Sequence, residues 1–324
     1  MITKKTNPTT ASAPVTPADN GWFKRLCAWA DEQGIKDLHW VDDKRLAEGG
    51  YWTGLPRDRQ AMIQLTELDF FNNKLESLPP ELFQLTQLTK LALRDNQLKS
   101  LPPEIGQLTR LTTLKLGRNK LTSLPPELFQ LTQLTELDVG SNQLRTLPIK
   151  VGQLKQLTVL RLGGNYLKSL PTKVGQLIQL TELDLSDNNL TSLPAEIGQL
   201  TQLTALGLGK NKLTSLPAEI GQLTQLPELD LRDNQLTSLP AEIGQLTQLT
   251  KLYLWDNQLT SLPAEIGQLT QLRHLSFGEN QLTSLPAEIG QLTQLPELWL
   301  RGNPLTPEQI AEVQTWLPKC QIRS

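Results

Sequence analysis

One asparagine recurs along this chain with a fixed period. Asn73, Asn96, Asn119, Asn142, Asn165, Asn188, Asn211, Asn234, Asn257, Asn280 and Asn303 each stand 23 residues after the last. Around them the frame reads L-x-x-L-x-L-x-x-N-x-L, followed by "SLPxEIGQLTQ" or a close variant. A unit this short cannot bury its own apolar face, so eleven copies must stack on one another as a solenoid. The leucines of L-x-L are expected to point inward from a short strand, with neighbouring strands parallel and about 4.8 Å apart. Ten intervals then give a concave sheet roughly 48 Å long. The "LPxEIGQL" half returns along the convex side and fills the core from behind. Each asparagine falls where the chain leaves the strand, and its amide is expected to bond the backbone of its own and the adjacent turn. The proline of "SLP" fixes φ at the bend, where no strand hydrogen bond is lost.

This frame is the leucine-rich repeat signature, and the chain resembles bacterial leucine-rich repeat proteins over about residues 65–305. Its "LPxEIGQLTQL" half is also similar to the repeats of Ras-group and ROCO-type proteins. The expected fold is a right-handed α/β solenoid, a leucine-rich repeat horseshoe with a parallel concave β-sheet and about eleven repeats. The resemblance implies scaffolding, or regulation of small GTPases or phosphatases, and names no particular activity. No GTPase domain is expected, so GTP hydrolysis by this chain is not implied.

The flanks read differently. Residues 1–20 are rich in Thr, Pro, Ala and Ser and offer little to bury, so a disordered tail is expected. Residues 21–64 carry Trp22, Phe23, Leu26, Trp29 and Ala30 at helical spacing and are expected to form an N-terminal helical cap. The repeat domain spans 65–305, and residues 306–324 form a C-terminal capping helix and tail. There Thr306 can N-cap, Pro307 takes the first helical position, and Gln309 completes a capping box. Ile310, Val313, Trp316 and Leu317 share the buried face of that helix. Bacterial repeat proteins that the chain resembles often close with such a helix and a late "LPxC".

A net charge of −2 offers no broad basic surface, which argues against nucleic acid and membrane as main partners. No apolar run is long enough to span a bilayer, and the N-terminus lacks a signal-peptide core. Cys27 and Cys320 lie near opposite ends, so a reducing, cytoplasmic setting is expected.

Solvent-facing positions on the strands vary most from copy to copy, while the convex "GQLTQL" barely changes. Tyr253 and Trp255 share one strand and Trp299 lies two strands on, with Ser276 and Gly278 leaving a gap between them and Arg232 and Arg301 flanking. Rings beside arginines are the residue types that dominate binding hot spots. Packing under the C-terminal lid is the other reading, strongest for Trp299. His274 sits on the same face as a solvated or interfacial histidine. A charged ladder runs alongside: Glu136/Asp138, Glu182/Asp184 and Glu228/Asp230 with Arg161 in one gap, and Lys90, Arg94, Lys115 and Arg118 as a basic zone. It reads either as complementarity to a partner or as a solvated mixed-charge face. Glycines 117, 140 and 163 would let a partner backbone approach, or lie on a surface under no demand.

Catalytic patterns are not found: neither histidine, His39 or His274, has a partner pattern, and there is no Walker loop, G-x-G-x-x-G or CxxC. No cofactor and no metal are expected. The expected function is a non-catalytic scaffold or adaptor, a monomer that grips a protein partner through Tyr253, Trp255, Trp299, Arg232, Arg301, His274, Arg161, Asp184 and Asp230. Two alternatives stand: an exported bacterial effector that binds a host protein, and a glycan-binding module using the aromatic gap.

Overall fold

The structure is a computed structural model and describes residues 21–42 and 50–324. The expected disordered tail, residues 1–20, lies outside the described residues. Helix α1 (Gly21–Glu32) is followed by an antiparallel hairpin of β1 (His39–Asp42) and β2 (Gly50–Thr53), then by the short α2 (Arg59–Ile63). The hairpin is an addition to the helical cap expected. "HWVD" and "GYWT" are rich in the aromatic and β-branched residues that suit a pleated surface. Leu26 and Ala30 of α1 are buried, and Trp22, Phe23 and Trp29 pack half-buried on the core, with the Trp29 ring 6.0 Å from Phe70. Arg25 ties the same helix to the first repeat by donating Nε to Glu81 Oε1 at 2.5 Å.

Eleven three-residue strands follow: β3 (Glu67–Asp69), β4 (Lys90–Ala92), β5 (Thr113–Lys115), β6 (Glu136–Asp138), β7 (Val159–Arg161), β8 (Glu182–Asp184), β9 (Ala205–Gly207), β10 (Glu228–Asp230), β11 (Lys251–Tyr253), β12 (His274–Ser276) and β13 (Glu297–Trp299). They pair in parallel and in sequence order, and the middle leucines align, from Leu68 opposite Leu91 to Leu275 opposite Leu298. Those leucines are buried while the residues on either side lie on the concave face, exposed or half-buried except for the buried Asp138.

On the convex side each of the first ten repeats makes a five-residue 3-10 turn, such as Ala195–Gln199. Pro194 enters it extended, at φ −70° and ψ 147°, and the Leu200 N–H donates back to Ile197 O at 3.1 Å. Five residues leave too little chain for an α-helical ladder, so the tighter turn is used. Regular α-helix is therefore confined, among the described residues, to the two ends.

The asparagines do what their position requires. Asn165 accepts from Leu144 N at 2.9 Å and donates to Val139 O at 3.0 Å and to Leu162 O at 2.9 Å, so one amide closes its own turn and the preceding one. The same three bonds recur at Asn119, Asn188 and Asn257. The residue before each asparagine is left-handed, at φ 52° for Ser141 and 56° for Asp256. Asn, Asp and Gly accept that region readily, whereas Ser141, Arg118, Lys210 and Glu279 hold it at a cost of roughly 1–2 kcal/mol each.

After the last repeat, Thr306 caps α3 (Pro307–Trp316) in a capping box with Gln309, as its spacing requires. Val313 and Leu317 are buried and Trp316 lies against Gly290 on the convex side. The chain then turns back, and β14 (Gln321–Arg323) pairs in parallel with β13, making a twelfth strand that the repeat frame does not announce.

Replacing Asn165 by Ala strands the buried Leu144 N–H and takes one of two amide donors from each of Val139 O and Leu162 O, which keep Asn142 and Asn188, and is expected to cost about 2–4 kcal/mol. Among the described residues the Asn73 side chain makes one bond, donating to Phe71 O, and its replacement is expected to cost under about 1 kcal/mol. Urea denaturation of both variants checks the difference; equal losses would contradict the role given to the ladder.

Candidate protein-binding face

The concave face divides into a charged centre that satisfies itself and an aromatic end that does not. At the centre Arg161 is a hub. It donates Nε and Nη2 to Glu182 at 2.7 and 3.0 Å and Nη1 to Glu136 at 2.8 Å, bridging β6, β7 and β8. Burial disfavours its charge, yet the bonds and charges of Glu182 and Glu136 hold its pKa above the usual arginine value. Lys115 Nζ adds a contact to Glu136 at 3.5 Å. Bidentate pairing of this kind is the stronger sort, and it leaves little unspent charge for a partner.

The expected basic zone is likewise matched by acids. Lys90 pairs with Glu67 at 2.9 Å and Arg118 with Asp95 at 3.5 Å. Arg94 reaches across to the buried Asp138 at 3.1 Å, an ion-pair contact without hydrogen-bond alignment. Asp184 accepts from the Ser186 backbone N–H at 3.0 Å and its hydroxyl at 2.6 Å. The glycine row has a structural use: a Cβ at Gly163 would sit 2.5 Å from the Asp184 carboxylate, and one at Gly117 would sit 3.1 Å from that of Asp138. These glycines make room for carboxylates of the next strand.

At the other end, Asp230 and Arg232 form a two-bond pair, Nε to Oδ1 at 2.9 Å and Nη2 to Oδ2 at 2.6 Å. The hydrogen bond from Asp230 leads the causes that raise the Arg232 pKa above the usual value. Pairing aims the guanidinium over the half-buried Tyr253 ring, 5.1 Å from its centroid. Trp255 on the same repeat lays its indole against the Gly278 backbone, where a Cβ would collide with the ring. The indole therefore covers Gly278, one of the two small residues between Trp255 and Trp299.

Trp299 is 41% exposed. Its strand neighbour is Arg323 of β14, whose guanidinium stands 5.7 Å from the Trp299 centroid while its Nε bonds Glu297 at 3.2 Å. The C-terminal helix packs its own Trp316 against Gly290 on the convex side, and Trp299 is left to solvent. His274 is exposed between them, opposite Lys251 in the strand register, and Arg301 is exposed just after Trp299. Tyr253, Trp255, Trp299, His274, Arg232 and Arg301 thus gather on the last repeats. Arg161 and Asp184 lie nearer the middle, and Arg161, Asp184 and Asp230 all have bonding partners within the chain. Arg323 was not visible from the repeats: it stands outside the frame, and only the late "QIR" pairing brings it to the face.

The geometry is matched by known proteins. Leucine-rich repeat region families match residues 149–233 and 218–315, with further leucine-rich repeat matches at 109–167, 86–129 and 64–85. The chain belongs to the leucine-rich repeat family. A leucine-rich repeat protein of Leptospira interrogans is 37% identical over 84% of this chain and 88% of that one, with a TM-score of 0.52. A plant peptide hormone receptor in complex with RGF2 is 31% identical over 87% of this chain and 48% of that one, at 0.69. The functional domain of InlJ from Listeria monocytogenes is 30% identical over 82% of this chain and 55% of that one, at 0.67. This chain therefore spans about half of each of the last two. No curated protein matches the chain.

Gly278→Ala is expected to lower stability by about 1–2 kcal/mol, through overpacking against Trp255, and to do so by far less when Trp255 is already Ala. A double-mutant cycle by urea denaturation measures it. Equal costs in both backgrounds would contradict the indole position.

Proposed function

We propose that this protein is a non-catalytic scaffold that binds a protein partner on its concave face, at the C-terminal repeats. The observation that carries the reading is the solvent-facing group of Tyr253, Trp255 and Trp299, each ring already fixed by an arginine or by backbone. Rings held in place before binding lose little conformational freedom when a partner covers them. Burying such residues in a desolvated contact contributes about 2 kcal/mol or more each. Arg232, Arg301, Arg323 and His274 supply the polar rim.

The self-paired centre supports the same placement. A partner seated over Arg161 would have to compete with Glu136 and Glu182 for its donors, and breaking such a pair is costly. Structural relatives support a protein as the ligand: the plant receptor is in complex with RGF2, and the Drosophila relative is a Toll–Spatzle complex. Cys27 and Cys320 stand as free thiols, which fits a reducing compartment.

A crosslinking pull-down from lysate of the native host, with wild type, Tyr253→Ala/Trp255→Ala and Arg161→Ala, tests the reading. A partner captured by wild type is expected to fall by about tenfold or more with the aromatic variant and to persist with Arg161→Ala. Capture that survives loss of the rings and disappears with Arg161→Ala would move the site to the centre and overturn the reading.

A further inference from the structure

The convex face reverses its charge in two adjacent repeats, the fourth and fifth, whose ladder asparagines are Asn142 and Asn165. Between Val139 and Thr181 there is no Asp or Glu and there are six basic residues, in a chain whose net charge is −2. Arg161 of these is held by glutamates on the concave side. The others project from the convex half at columns set by the repeat. The column that carries Glu104, Glu127, Glu196, Glu219, Glu242 and Glu265 carries Lys150 and Lys173 here. The adjacent column, Ala195 and Ala218 in the following repeats, carries Ile149, 61% exposed. Lys155 and Ile178 replace threonine, and Ile178 is 54% exposed. Lys150 and Lys173 are exposed stacked neighbours and have no ion-pair partner among the described residues, nor do Glu196 and Glu219. Each lysine has one like and one opposite neighbour in its column and is ion-paired with neither, so these charges are free to meet a second surface.

We propose that the convex face of repeats four to seven is a self-association surface, where two copies meet about a two-fold axis running between repeats five and six. That axis, lying along the chain direction of the turns, keeps each column opposite itself and reverses repeat order. Lys173 then faces Glu196 of the second copy, Lys150 faces Glu219, and Ile149 faces Ala218, each twice by symmetry. Spacing matches without adjustment because both rows are steps of the same solenoid. Two convex surfaces touch only near the middle of their arcs, which is where the charge reverses. The contact is small, so the dimer is weak and weakened further by salt. An anionic lipid or nucleic-acid surface fits less well, since the glutamate column continues on both sides of the basic pair and would be repelled. The concave face stays open in this pairing, so the proposal stands apart from the aromatic site.

Sedimentation velocity over a protein concentration series, at low and high salt, tests it with two charge-reversed chains. Lys150→Glu/Lys173→Glu makes the column acidic throughout, and Glu196→Lys/Glu219→Lys makes repeats four to seven basic. Wild type is expected to dimerise at low salt and dissociate at high salt. Each variant alone is expected to weaken dimerisation by about tenfold or more, and an equimolar mixture to recover it as a heterodimer, because all four pairs are then restored. Circular dichroism checks that both variants are folded. A wild type that stays monomeric throughout, variants that dimerise unchanged, or a mixture that fails to recover would each overturn the proposal. So would a monomer that binds phosphatidylserine vesicles through Lys150 and Lys173, which would give the patch to a lipid surface.

Discussion

The asparagine amide is the interaction on which the rest of this structure depends. A solenoid turn leaves backbone groups inside, where water cannot reach them, and each must find a partner. In every inner repeat one amide takes a leucine N–H from the preceding repeat and gives its own two hydrogens to carbonyls of both. Its reach fixes the distance between turns, so each strand meets the next in one register and the leucines stack without offset. The 23-residue period is the sequence record of the chain needed for one such turn.

A frame settled by buried leucines and asparagines leaves the outward positions free to vary. On the concave side the variation has two physical outcomes. In the middle, acids and bases answer one another within the chain, with Arg161 between Glu136 and Glu182, and the surface is mixed-charge and closed to new bonds. Toward the C-terminus, the charges serve the rings: Asp230 fixes Arg232, which lies over Tyr253, and Glu297 fixes Arg323 beside Trp299. The first arrangement keeps the face soluble. The second presents rigid apolar area to a partner.

The repeat core was legible from the sequence because its signals are local and periodic: L-x-L marks the strand, Asn its exit, and "SLP" the bend into the convex turn. The capping box at Thr306 and Gln309 was legible for the same reason. What escaped depends on where side chains go in three dimensions. Ser276 and Gly278 look like a gap in the alignment of copies, yet the small residue at Gly278 is what lets Trp255 lie down. Gly163 looks like an idle position until the Asp184 carboxylate is placed against it. The hairpin near the start and the final strand fall outside the period, so no neighbouring copy announces them, and Arg323 was missed with the latter. Composition alone also hid the basic patch at Lys150 and Lys173, because the acids elsewhere cancel it in the net charge.

The frame holds the aromatic group in place, and the group does not hold the frame. Comparing the unfolding free energy of wild type with Tyr253→Asp/Trp255→Gly/Trp299→Asp, residues that other repeats carry at those positions, tests this directly. The expected loss is below about 1.5 kcal/mol, against about 2–5 kcal/mol for Leu254→Ala beneath the same face. A triple variant as unstable as Leu254→Ala would show the rings to be part of the core and would contradict their assignment to binding.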